Sequence, residues 1–159
     1  AIATIHVASC KQGYHGIVPP PALAGEDVAQ KTTDWEGWLH DTHTILAEDD
    51  GVAMGFCAVG PVRTRLASDR GPIPRFAGEV YALYVHPDHW RKGVGRGLLR
   101  AGFASLKQAG LPSALLWVLA KNDPAIALYL SEGGEKCGKR MIEMNGFPVK
   151  ETAIGFRRI

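Results

Sequence analysis

The sequence predicts an α/β protein built on a mixed sheet, and three observations carry that expectation. Val80-Tyr81-Ala82-Leu83-Tyr84-Val85 is an unbroken apolar and aromatic run of strand length, the pattern of a strand buried on both faces and central in its sheet. Beyond it Val94, Leu98, Leu99, Phe103 and Leu106 recur at helical spacing until Gly110 and Pro112 stop the element. Short strand-like runs come in pairs on either side of this centre. A chain of 159 residues with 46% hydrophobic content fits one domain spanning 1–159.

In chain order, the Ala-rich stretch from Ile2 to Cys10, followed by Gly13 and Gly16, predicts a first helix. The segment Ile17 to Gly25, with Pro19, Pro20 and Pro21 in a row, reads as a loop leading to a second helix near 27–40 that carries Trp35 and Trp38. Thr44 to Glu48 and Ala53 to Val59 read as strands joined by Asp49-Asp50-Gly51 into a hairpin. Pro61 to Gly78 is a long loop holding Arg63, Arg65, Arg70 and Arg75, either a functional loop or a solvated basic one. After the central strand and its helix, Ala114 to Leu119 is a further buried strand. Pro124 to Glu132 is a short helix with Asp123 as its N-cap, and Lys139 to Met144 with Val149 to Phe156 forms a closing pair of strands.

Composition removes several classes. The net charge of +2 is too small for a phosphate-backbone binder, so no nucleic-acid partner is expected. No apolar run approaches the roughly 18 to 20 residues a bilayer-spanning helix needs, so no membrane partner is expected either. The three cysteines, Cys10, Cys57 and Cys137, form no CxxC pair, and the N-terminus lacks the pattern of a secretory signal. A reducing cytoplasm is the expected location. His86 with His89 and His40 with His43 are spaced like ligand pairs but lack the third and fourth partners of a zinc site, so no metal is expected.

The chemistry concentrates where the central strand gives way to His86-Pro87-Asp88-His89-Trp90-Arg91-Lys92-Gly93-Val94-Gly95-Arg96-Gly97. Glycines let the main chain bend so that successive N–H groups converge. The following helix N-terminus adds its partial positive charge, and Arg91, Lys92 and Arg96 add full ones, which together describe a pyrophosphate site. The same glycines could instead serve close packing of the helix. A dinucleotide fingerprint is excluded because seven residues separate Val85 from Gly93, and a Walker loop because no Gly-Lys-Ser/Thr closes the segment.

The stretch from Glu79 through Leu99 resembles the cofactor motif of the GNAT N-acetyltransferases. Trp117 to Gly134, with Asn122 and Tyr129 seven apart, is similar to that family's next strand and helix, and Ile2 to Leu39 to the opening helices of bacterial members. The resemblance implies the GNAT fold, a mixed central sheet flanked by helices and splayed between its fourth and fifth strands. It also implies that the usual first strand is missing ahead of Ile2. Acetyl-CoA is the implied cofactor, its pantetheine arm pairing with Leu83, Tyr84 and Val85 and its pyrophosphate on the amides of Arg91, Lys92, Gly93, Val94, Gly95 and Arg96. Asn122 is implied as a hydrogen-bond partner of the cofactor, or as a cap of the next helix. Trp90 departs from the family pattern, which usually has Gln or Arg near that point.

What this implies chemically is acetyl transfer to a primary amine, on a small molecule or peptide, by direct attack. An alkylammonium of pKa near 10.4 must first lose a proton. Glu79 is the candidate base, directly or through water, against the alternative of a solvated strand-end charge. Tyr129 matches the family's acid for the departing thiolate, against the alternative of a core tyrosine. Trp35, Trp38 and Tyr14 could line the acceptor pocket or simply fill the core. The family also suggests a homodimer. The alternatives in other classes are a catalytically silent acyl-CoA-binding sensor or interaction module, and an Arg-rich-loop binder of acidic ligands.

Overall fold

A computed structural model describes residues 1–63 and 76–159; Arg65, Arg70 and Arg75 lie outside the described residues. The elements run α1 (Ile2–Gly13), α2 (Pro20–Ala24), α3 (Val28–Trp38), β1 (His43–Asp49), β2 (Val52–Pro61), β3 (Gly78–Val85), α4 (Val94–Gln108), β4 (Ala114–Leu119), α5 (Asp123–Ser131), β5 (Glu135–Met144) and β6 (Phe147–Phe156). The six strands form one sheet in the order β1-β2-β3-β4-β6-β5. Only β3 and β4 run parallel, so the sheet is mixed as expected.

Both hairpins close on a two-residue turn whose residues all have positive φ, Asp50 and Gly51 in one and Asn145 and Gly146 in the other. Such turns match the right-handed twist of the flanking strands. The strands of the second pair extend further than the sequence indicated, starting at Glu135, because a register shift between Lys136 and Gly138 absorbs one residue and lets pairing continue.

Three other expectations need correction. The Pro19–Pro21 stretch is not simply a loop: Pro20 and Pro21 occupy the first turn of α2, where a helix has no use for their missing N–H groups. The N-cap of α5 is Asn122 rather than Asp123, its side chain accepting from the Ala125 amide at 3.4 Å. The central strand is not buried on both faces throughout. Tyr81 to Tyr84 are only half-buried, because β3 and β4 pair at Gly78, Glu79 and Val80 and then separate.

That separation has a visible cause. In the β2–β3 register Ala58 opposes Ala82 and Val59 opposes Val80, so Tyr81 is an extra residue on β3. A bulge of this kind bends its strand and increases the local twist. Pairing with β4 ends at Val80, immediately before it. The gap falls between the third and fourth strands of the described residues.

Helices cover both faces. α4 and α5 pack on one through a core that includes Val80, Leu98, Leu99, Leu106, Leu116, Ile126 and Ile154. On the other face, Ile5 of α1 and Trp35 of α3 pack on Phe56 and Ala58 of β2, while Ala22 and Leu23 of α2 meet Leu119 and Val149. Each fully buried aliphatic or aromatic side chain here contributes on the order of 1.5–3 kcal/mol.

Candidate active site

The gap opens into a cavity of about 960 Å³ reached from both halves of the sheet. One wall is the free side of β3. His86 donates its amide to Met54 across β2 at 2.8 Å, so by the two-residue alternation of an antiparallel ladder Ala82 and Tyr84 turn their main-chain groups to β2, and Leu83 and Val85 turn theirs to the gap. Of the expected trio, then, Tyr84 faces β2 with its main chain; its ring stacks on His6 at 4.2 Å between centroids. Trp90, the departure from the family pattern, donates its indole N–H to the Val85 carbonyl at 2.7 Å. It thereby satisfies a group at the split that would otherwise lack a partner.

The bend that follows is a main-chain cradle. Arg91 and Gly93 have φ of 62° and 82°, a conformation ordinary for glycine and strained for arginine. The first bond of α4 is from the Gly97 amide to the Gly93 carbonyl at 3.0 Å. Among the described residues, no well-formed hydrogen bond by distance and angle runs from the amides of Arg91 through Arg96. N–H groups left without partners at a helix N-terminus are suited to an anion.

The packing alternative for the glycines does not hold. A Cβ at Gly93 or Gly97 would meet nothing within 4 Å, and one at Gly95 would make ordinary contacts at 3.6 Å and beyond. Gly93 and Gly95 line the cavity, Gly95 also facing Leu128 of α5, whereas Gly97 faces open space outside it. Arg91, Gly93, Val94, Gly95, Arg96 and Asn122 all line the cavity. Lys92 is the exception, since its side chain folds back to donate to the Asp88 carbonyl at 2.9 Å and only its amide belongs to the cradle. Arg96 is held at the rim by Glu132 at 2.7 Å.

Glu79 and Tyr129 reach the same cavity from opposite faces of the sheet. Glu79 is not a solvated end charge: it is 5% exposed, and its Oε2 accepts from the Arg63 amide at 2.9 Å. Burial pushes its carboxyl above the usual range, while the Arg63 hydrogen bond and the charges of Arg63 and Arg140 pull against that rise. Tyr129 on α5 is buried, and desolvation drives its phenol well above its ordinary pKa, so it is neutral and able to donate. Tyr14 lines the cavity, whereas Trp35 belongs to the core and Trp38 is exposed.

The sequence reading missed two groups of residues. Trp117, Arg140 and Glu151 line the cavity beside Glu79; they come from three strands that only the fold brings together. His6, Cys10 and Glu26 bring ligand-type atoms within 4.8 Å of one another in the interior. However, Trp35 donates its indole N–H to His6 Nδ1 at 2.9 Å, which puts the proton of the neutral imidazole on Nε2. Neither nitrogen then offers a free lone pair, so the cluster is a buried hydrogen-bonding group and not a metal centre. His86 and His89 lie 6.2 Å apart between ring centroids, and His86 faces the Asp88 carboxylate at 3.5 Å.

Residues 14–133 match the family described as acetyltransferase (GNAT) family. The chain belongs to that family. It is 29% identical over 155 residues to YuaI of Bacillus subtilis, an uncharacterised N-acetyltransferase, covering 98% of this chain and 85% of that one. It is 30% identical over 136 residues to the mycothiol acetyltransferase of Propionibacterium freudenreichii, covering 85% of this chain but 36% of the relative, so it spans about a third of that protein's length. YncA, an acetyltransferase of Salmonella typhimurium solved with its cofactor acetyl-CoA, shares the fold with a TM-score of 0.67 at 20% identity, covering 97% of this chain and 84% of that one.

Proposed function

We propose that this GNAT protein moves an acetyl group from acetyl-CoA to a primary amine by direct attack on the thioester. One observation carries the reading: Arg91, Gly93, Val94, Gly95 and Arg96, whose amides make no well-formed hydrogen bond among the described residues, line the same cavity as Glu79 and Tyr129. The residues present fit this cofactor. The cradle suits a pyrophosphate, the gap-facing groups of Leu83 and the amide of Val85 suit the amides of a pantetheine arm as an added strand would, and Asn122 at the cavity wall has its side-chain nitrogen to offer. Bound acetyl-CoA supplies an acyl group already activated as a thioester.

Glu79 takes the proton from the acceptor ammonium, directly or through a water, and its burial strengthens it as a base. Tyr129 gives a hydrogen bond or its proton to the departing sulfur. No cysteine lines the cavity among the described residues, which favours direct attack over an acyl-enzyme. Most of the acceleration then comes from holding the two reactants together in a site shaped for them. The same reading includes a homodimer in a reducing compartment, checked by light scattering of the purified protein.

Acetyl-CoA at about a hundredfold its Kd should stabilise the protein by about 2.7 kcal/mol against thermal unfolding. Free thiol should then appear when a primary amine is added. Stabilisation without thiol release across a broad amine panel would instead identify a silent sensor, and no stabilisation at millimolar acetyl-CoA would refute cofactor binding.

A further inference from the structure

At the end of the cavity away from the cradle lies an ion pair that cofactor binding does not use. Arg140 on β5 stands directly opposite Glu151 on β6, and its Nε meets Glu151 Oε2 at 2.6 Å. Both side chains are largely buried, at 14% and 12% exposure. The Arg140 guanidinium carbon lies over the Trp117 ring, 4.2 Å from its centroid, a contact that helps hold the fork in place. Both residues line the cavity with Glu79, and both act electrostatically on its carboxyl.

We propose that Arg140 and Glu151, with Glu79, form an acceptor subsite for an α-aminoacyl group: an amine whose neighbouring carbon bears a carbonyl, as in an amino-acid amide or a peptide N-terminus. The proposal rests on Glu79 acting as the base. A buried ion pair contributes little net stability, so its place in a cavity wall calls for a ligand. Among the described residues only Nε of Arg140 has a partner, which leaves the outer N–H groups of a rigid fork as donors for a carbonyl oxygen. Glu151 Oε1 and Glu79 Oε1 remain as acceptors for the ammonium beside it. A simple alkylamine of the same size would bury the Arg140 donors with nothing to meet them, and a polyamine would bring a second cation against them.

Base strength points the same way. Glu79 is raised by burial but restrained by Arg63 and Arg140. An α-amino group beside a carbonyl titrates near 7.7–8.0 and an alkylamine near 10.4. A restrained carboxylate is the better match for the weaker amine. Arg140 is already neutralised by Glu151, so a neutral carbonyl is favoured over the carboxylate of a free amino acid.

The test compares L-alaninamide, an Ala-Ala dipeptide, free alanine and sec-butylamine as acceptors at saturating acetyl-CoA, with kcat/KM corrected for the free-base fraction of each. The amide and the dipeptide should exceed sec-butylamine by at least about tenfold, a difference of about 1.4 kcal/mol, with free alanine between them. Arg140→Gln should reduce that preference to about threefold or less while the Kd for coenzyme A, measured by calorimetry, stays within about twofold. Arg140→Lys, which keeps the charge but loses the fork, gives the same readout should Arg140→Gln fail to fold. Equal rates for alaninamide and sec-butylamine, or a variant that lowers both alike, would overturn the subsite while leaving acetyl transfer intact. Should no amine release thiol although coenzyme A binds, acetyl transfer itself fails. The subsite then stands or falls on whether protein loaded with coenzyme A binds alaninamide more tightly than sec-butylamine.

Discussion

The two ends of the cavity are built in opposite ways. The cradle is one continuous stretch, Leu83 to Arg96, in which strand, bend and helix start follow each other and the main chain supplies the contacts. The acceptor end is assembled from side chains on β3, β4, β5 and β6, with Glu79 and Glu151 lying 72 positions apart in the chain. Main-chain recognition tolerates changes of side chain but not of backbone conformation. Side-chain recognition has the reverse sensitivity, so mutations should separate the two ends cleanly.

The largest effect expected is on chemistry at the acceptor end. Glu79→Gln should lower kcat by about two to three orders of magnitude, in the range for loss of a general base, with the Kd for coenzyme A unchanged. In the protein with Glu79 intact, only the ionised carboxylate accepts a proton, so activity should rise with pH through a pKa lying above the ordinary carboxylate value. That acid limb should vanish in Glu79→Gln. An unaltered pH profile in the variant would remove Glu79 from the base role.

Next in size is damage to the cradle. Gly93 sits at φ 82°, where a β-branched residue is strongly disfavoured. Gly93→Val should therefore flatten the bend and weaken coenzyme A binding by roughly one to two orders of magnitude, for a conformational cost of about 1–3 kcal/mol. Isothermal calorimetry would read this directly, and unchanged affinity would mean that the bend holds no phosphate. Tyr129→Phe should lower kcat by about ten- to a hundredfold at unchanged cofactor affinity, because only a hydrogen bond to the leaving sulfur is lost. The smallest effect is at Asn122. Asn122→Ala removes the cap of α5 and should cost about 1 kcal/mol of stability by denaturant unfolding, with a few-fold loss of coenzyme A affinity.

The same contrast explains what could be read from the sequence. The cradle was legible because its glycines, its charges and the strand before it are neighbours in the chain, and local order alone defines the site. Even there one detail escaped: that Lys92 turns back to Asp88 while Arg96 stays at the rim depends on packing, not on spacing. The hairpin at Asp50-Gly51 could be read from turn chemistry, and Asn145-Gly146 carried an equally strong signal for the second. Burial of Glu79 could not be read, because Arg63 and the strand pairing that enclose it are set by tertiary structure. Arg140 and Glu151, on separate strands, carry no local signal that pairs them. Only the register of β5 on β6 places them opposite each other beneath Trp117.

The claim beneath both halves is that the bend after β3 grips a diphosphate through its main chain. Backbone amide resonances of Arg91 through Arg96, followed by NMR during titration with coenzyme A and separately with pantetheine, test it most directly. Coenzyme A should shift these amides downfield as they gain an anionic acceptor, while pantetheine, which lacks the diphosphate, should leave them in place and perturb Leu83 and Val85. Amides from Arg91 to Arg96 that stay still while coenzyme A binds, with the shifts falling elsewhere, would contradict the account.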